Sequence, residues 1–426
     1  MLCSRKRSNG AVIMSDPHLN PPFRAEQIGS LKRPAVLLQK RKDREAGLCS
    51  VEDLRVVEDE AIQAVLQMQR EVGIKSLSDG EFRRHMFFDG VFDNMEGMKL
   101  LSPILPEMFM DYVPDIEAHK VQADFKGSDS YICVPYIVST QGKLKRTRPF
   151  YVPQFEALKK LTTPEEHKNI KITMCAPEWF HLRHGHYAYP KEVYANDDEY
   201  FADIAVAYQE ELKELHAAGC RNVQFDDPIL AYFCADSMLS GMEARGVDHE
   251  ALFNTYIRAY NTLLTGRPAD MNVGLHLCRG NFKDGRHFSE GGYDRIAVKL
   301  FQEIDVDCYY LEYDTPRAGT FEPLRHLPLN KVVVLGLIST KLPQLEDVDA
   351  MVKRVNDAAD MIASGEPKRS KETALNQCVS PITLTLICVS PQCGFASHSM
   401  GNLVQEDDVR RKLALVVRIA QTIWKD

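Results

Sequence analysis

The segment Gly274-Leu275-His276-Leu277-Cys278 sets a histidine and a cysteine two residues apart near the end of an apolar run. Residues i and i+2 of a β-strand point to the same face, so imidazole and thiol would leave the backbone side by side. Tyr310-Leu311-Glu312-Tyr313-Asp314 adds a carboxylate, Glu312, at the end of another apolar run, and Ser390-Pro391-Gln392-Cys393-Gly394 adds a thiolate in a turn. His276, Cys278, Glu312 and Cys393 are an N, S, O, S set suited to tetrahedral Zn²⁺. Taken alone, a histidine beside a cysteine is more often a packed core pair, and position along the fold is what raises the metal reading.

A closed zinc site is structural. One with a labile ligand can bind a substrate thiol, lower its pKa from ~8.5 and hold a thiolate nucleophile at neutral pH. Structural zinc usually clips short loops through close-spaced cysteine pairs, whereas these four residues are spread from 276 to 393, and that dispersal favours catalysis. Other candidate strand ends suit a zwitterion: Ile28, Gly29 and Ser30 offer N–H groups and a hydroxyl for a carboxylate, and Glu81 and Asp226 offer partners for an ammonium. The competing reading has Glu81 and Asp226 capping helices or pairing with arginines such as Arg83. Taken together, these groups describe an amino-acid thiol.

The elements that must position them alternate short apolar runs with amphipathic stretches, the pattern of β-α units on a parallel sheet. Candidate strands end near Ser30, Glu81, Ala176, Asp227, Cys278, Glu312, Ile338 and Cys393. Helical periodicity runs through Leu54, Val57, Ala61, Ala64, Met68 and Val72, after Ser50 with Asp53 three residues on, and stops at Gly73. A second helix passes Phe201, Ile204, Tyr208, Leu212 and Leu215 to Gly219, and a last one Val409, Leu413, Val416, Ala420 and Ile423. Eight such units predict an α/β fold, a (β/α)₈ TIM barrel whose active site lies where strands end. Residues 1–22 read as a disordered segment and 23–426 as the barrel. An insertion at about 99–153 includes a hairpin after the second strand, around Tyr131 to Thr140. Cys-Val-Ser-Pro occurs at 378–381 and again at 388–391, as if about ten residues were inserted or duplicated before Cys393.

A net charge of −8 and a pI near 5.9 argue against nucleic-acid or anionic-membrane partners. Eleven cysteines without paired spacing fit a reducing cytoplasm, and no run approaches the ~20 apolar residues of a membrane span.

The motifs IGS (28–30), SDGEF (78–82), QFDDP (224–228), HLCRGN (276–281), YLEYD (310–314) and SPQCGFAS (390–397) resemble, in order and spacing, the catalytic domain of cobalamin-independent methionine synthase, within the barrel group that also holds uroporphyrinogen decarboxylase. The resemblance runs from about Phe23 to the C-terminus. It implies His276, Cys278, Glu312 and Cys393 as zinc ligands, and Ile28, Gly29, Ser30, Glu81 and Asp226 as homocysteine contacts. The implied reaction is methyl transfer to the homocysteine thiolate, forming methionine. The implied donor is 5-methyltetrahydrofolate as its polyglutamate, or another methyl carrier.

Three departures qualify that transfer. The full-length plant and bacterial enzymes have a second, N-terminal barrel, and this chain has room for the catalytic one alone. The family's seventh strand ends in a proton-donating histidine, but Gly336-Leu337-Ile338-Ser339-Thr340-Lys341 contains none, which leaves the proton donor unknown and Ser339 and Lys341 as candidate contacts. Tyr232 stands near the family's acidic folate contact. Trp179, which could stack on a flat donor, and His184 and His186 of the loop after the third strand are further candidate mouth contacts. Two alternatives stay open: alkyl transfer or thioether cleavage on another small thiol, and a catalytically silent zinc-binding barrel. Decarboxylation of a tetrapyrrole acid would leave His276 and Cys278 unexplained.

Overall fold

Two antiparallel strands, β1 (Met95–Leu101) and β2 (Ile137–Arg146), form a hairpin ahead of a sheet of six parallel strands in sequence order. The six are β3 (Lys171–Cys175), β4 (Asn222–Asp226), β5 (Asn272–Leu277), β6 (Cys308–Glu312), β7 (Val332–Ile338) and β8 (Ile387–Pro391). This computed structural model describes residues 21–101, 137–281, 287, 289–375, 387–398 and 401–424, without the side chains of 99–101, 137–141, 183, 186 and 187. The segment 1–20 and the first Cys-Val-Ser-Pro copy lie outside the described residues.

Single parallel bridges close the ring at barrel positions one and two, Ala25 with Val389 and Leu77 with Ile170. The periodic reading expects full strands here. The local sequence is polar, however, and side chains take over part of the ladder: Gln27 donates to the Ser76 carbonyl (2.9 Å) and the Ser78 hydroxyl to that of Gly29 (2.8 Å). The result is a (β/α)₈ barrel with the hairpin inserted after its second position.

The predicted helix boundaries follow from local chemistry. Val51–Val72 begins with a capping box between Ser50 and Asp53 and ends at Gly73 in the left-handed region (φ 89°). Asp197–Ala218 ends at Gly219 in the same way, and Glu406–Trp424 closes the chain's described part. Both faces of β5 are covered, so its apolar residues Val273, Leu275 and Leu277 are fully buried while His276 belongs to the alternate set. Inside the barrel, Lys171 and Glu26 form a fully buried ion pair (2.6 Å), with the Lys171 ammonium 4.3 Å from the Tyr310 ring centroid. Gly274 leaves room for that ring, since a Cβ there would stand 2.5 Å from it. Among the described residues the cysteines are all free, and no helix is long and apolar enough to cross a membrane.

Candidate metal and substrate site

His276 lies within β5 and Cys278 just beyond its end, while the turn after β8 carries Cys393. Their ligand atoms all lie within 4.8 Å of one another, and all three residues are buried. The Nδ1 of His276 is 3.1 Å from the Tyr310 carbonyl on the neighbouring strand, which fixes the proton there and leaves Nε2 as the lone pair. Nε2 has no hydrogen-bond partner of its own although buried, as a metal-ligating nitrogen requires. The two thiols lie within hydrogen-bonding reach of each other. That contact, with the His276 imidazole beside it, holds the Cys278 thiol well below its ordinary range and pushes Cys393 up. Three ligands of types N, S and S in this arrangement fit zinc.

Glu312 is not brought into that group. Its fully buried carboxylate accepts from the Arg279 backbone N–H (2.7 Å) and is paired with the Arg317 guanidinium. Arg317 also reaches Asp314 (3.4 Å), and nothing in the apolar run ending at Glu312 announces such a partner five residues on.

Ile28, Ser30, Glu81 and Asp226 line one cavity with His276, Cys278 and Cys393, of about 680 Å³ and partly open to solvent. Glu81 is held at φ 61°, a left-handed conformation that non-glycine residues rarely adopt outside functional sites. Its Oε1 accepts from the Thr173 hydroxyl (2.7 Å), while Oε2 is buried without a partner. Burial raises the Glu81 carboxyl and lifts that of Asp226 to about 7, so both are poised to gain from an incoming ammonium. Gly29 does not line the cavity. Its N–H donates to Gln27, and its positive φ packs the backbone so closely on Thr173 that a Cβ would meet Cγ2 at 2.4 Å.

The remaining candidates divide. Trp179 lines the cavity, packed edge-to-face on Phe87 (centroids 4.8 Å) and tilted against Phe88 (5.4 Å). His184 is buried and stacked on Phe180, Tyr232 is buried, and neither lines the cavity. The side chain of His186 lies outside the described residues. Ser339 accepts from the Lys341 N–H (3.2 Å), and the Lys341 ammonium donates to the Gly280 carbonyl (3.0 Å) rather than lining the cavity. Against the opposing effect of burial, its charge nevertheless helps hold the Glu312 carboxyl below its ordinary range.

Sequence reasoning missed Met86, Phe87, Asn281 and His398, all lining residues. The aromatic run Phe87-Phe88 in the loop after position two was the available signal. Asn281 ties the β5 loop to the Cys393 turn by donating to the Gly394 carbonyl (2.5 Å).

Residues 188–422 match the family model described as the cobalamin-independent synthase catalytic domain, and that span covers every strand end carrying the sulfur and imidazole ligands. The chain belongs to that family. The uncharacterized protein YxjG of Bacillus subtilis is 32% identical over 95% of this chain and 96% of its own. The methionine synthase of Saccharolobus solfataricus is 25% identical over 64% of this chain and 69% of its own. A crystal structure of a putative vitamin-B12 independent methionine synthase from Listeria monocytogenes superposes with a TM-score of 0.66 at 26% identity, over 96% of this chain and 99% of that one. Membership in this synthase family makes the chain methyltransferase-like.

Proposed function

We propose that the protein is a zinc-dependent S-methyltransferase that moves a methyl group from a carrier to the thiol of homocysteine, forming methionine. The observation that carries this reading is that His276, Cys278 and Cys393 meet within 4.8 Å on the wall of a cavity that Glu81 and Asp226 also line. Zinc held by His276, Cys278 and Cys393 would supply the positive charge that keeps the acceptor's sulfur a thiolate at neutral pH. Glu81 and Asp226 receive the acceptor's ammonium, and the Ser30 side of the first strand end borders its carboxylate. Burial of these carboxyls strengthens their charge-assisted bonds to the ligand and fixes the direction from which sulfur meets the methyl group.

X-ray absorption at the zinc edge, before and after adding L-homocysteine, tests the reading. The expected result is bound zinc that gains one sulfur ligand. Bound zinc with an unchanged shell would assign the site to another thiol or to a silent barrel, and protein that binds no zinc would overturn the proposal.

A further inference from the structure

We infer that His398 binds the methyl donor: its ring N–H gives a hydrogen bond to an oxygen or nitrogen on the edge of a heterocyclic methyl carrier, and so helps select and orient that carrier. This deepens the thiol-methylating reading above and rests on it, with a reduced folate as the carrier. The metal cluster and the proposed acceptor contacts occupy one part of the cavity wall, and Met86, Phe87, Trp179 and His398 line the same cavity outside both groups. Met86 pairs with His398 in an antiparallel bridge, and Phe87 packs edge-to-face on Trp179 (centroids 4.8 Å), so the four form one connected stretch. Met86 and Phe87 offer only apolar surface. A site that hydrogen-bonds its substrate rejects an analogue lacking the matching group far better than apolar contact does. His398 supplies such a group to this stretch.

The ring is set by its own turn. The Gly401 N–H donates to Nδ1 (3.3 Å), so Nδ1 carries the lone pair and the ring proton sits on Nε2, the nitrogen farther from the backbone. The same N–H reaches the His398 carbonyl (3.1 Å), and Gly401 closes this turn at φ 67°, where glycine is favoured. The buried Arg33 guanidinium donates to that carbonyl as well (3.2 Å), while the Phe87 N–H donates to the Ser397 carbonyl (2.9 Å). His398 is only 5% exposed. A hydrogen-bond donor locked in this way loses little freedom when a ligand arrives. Neighbouring polar groups on the wall serve the protein instead. Asp227 accepts from the Ile229 and Leu230 N–H groups (2.9 Å each) and the Tyr260 hydroxyl (2.7 Å), and Asn281 donates to the Gly394 carbonyl and the Ser397 hydroxyl (3.1 Å).

The full-length zinc-loaded protein and two variants are titrated by calorimetry with 5-methyltetrahydrofolate triglutamate, and turnover is followed with isotopically labelled homocysteine. In His398→Asn the amide oxygen stands in the place of Nδ1 and keeps the Gly401 N–H, but nothing replaces the Nε2 proton. In His398→Gln an amide N–H reaches the Nε2 position. We expect the folate's Kd and KM to rise about tenfold in the asparagine variant, with the acceptor's KM unchanged, and to return to within about threefold of the parent in the glutamine variant. Equal folate affinity in all three proteins, or a glutamine variant no better than the asparagine one, overturns the inference. A matching rise for folate and acceptor also overturns it and assigns His398 to holding the loops alone, and a parent that binds no folate removes the carrier it needs. The zinc-edge spectrum with homocysteine keeps the two levels apart: sulfur gained while the folate results fail sinks the His398 contact alone, and no sulfur gained sinks the thiolate reading beneath it.

Discussion

Arg317 and Glu312 are a buried ion pair beside a metal-type cluster, and removing Arg317 takes away the Glu312 carboxylate's direct cationic partner, leaving the field of Lys341 and the Arg279 N–H. Arg317→Ala should therefore cost about 3 kcal/mol in urea unfolding of the metal-free protein, and less with zinc present if the released carboxylate turns to the metal. An equal loss with and without zinc would show that Glu312 never joins the site. Glu178 is buried beside Asp227, and burial first, then that neighbour, pushes its carboxyl well above the ordinary range. The folded protein thus keeps a proton the unfolded chain has lost, so stability falls as pH rises beyond the unfolded carboxyl pKa. Glu178→Gln removes this dependence and should match the parent near pH 4 yet exceed it by about 1 kcal/mol at pH 8 in denaturant midpoints. The meeting of His276 and Cys278 was legible because a two-residue period at the end of one strand sets them side by side. The orientation of Glu312 was not, because Arg317 arrives from an irregular turn whose path no periodicity encodes.

At the scale of elements, the loop after β3 is fastened to the Asp197–Ala218 helix through His181, which bridges the Tyr256 hydroxyl (2.9 Å) and the Asp197 carboxylate (3.2 Å). The His181 contact, ahead of the opposing effect of burial, brings the Asp197 carboxyl down to about 2. A depressed carboxyl contributes stability above its unfolded pKa and loses it as pH falls through the folded value. Asp197→Asn should cost about 1 kcal/mol at pH 5 to 6, after allowance for partial exposure, with the gap to the parent closing between pH 4 and pH 2. Thermal midpoints across that range check it, and a pH-independent difference would assign the contact a purely steric role. The helices Val51–Val72 and Asp197–Ala218 could be bounded from sequence because Ser50, Asp53, Gly73 and Gly219 act within one turn. The weak first two strands could not, since their pairing depends on side chains such as Gln27 reaching a distant carbonyl.

Across the whole molecule, one fully buried arginine holds three loops at the barrel mouth. Arg33 donates to the carbonyls of Ala396 (2.9 Å) and His398 (3.2 Å) after β8 and to those of Glu81 and Arg84 (3.0 Å each) after position two. Lysine lacks the planar fork, so Arg33→Lys should lose about 2 kcal/mol or more and raise the acceptor's KM together with the donor's. A change confined to stability would separate the mouth from the site. The architecture itself was legible because eight β-α units repeat along the chain.

The narrow closure of the ring at Ala25–Val389 and Leu77–Ile170 bears on how the protein breathes. A cylinder whose staves are laddered along five seams and pinned at single points elsewhere opens where it is pinned. Amide deuterium uptake should thus be fastest, among barrel positions, at the first two staves. The proposed acceptor contacts Ile28 and Ser30 are built on one of these staves and line the same cavity as Asp226 and His276 on the laddered part. A bound amino acid would act as a rivet across the loose join, slowing exchange there more than anywhere else in the wall.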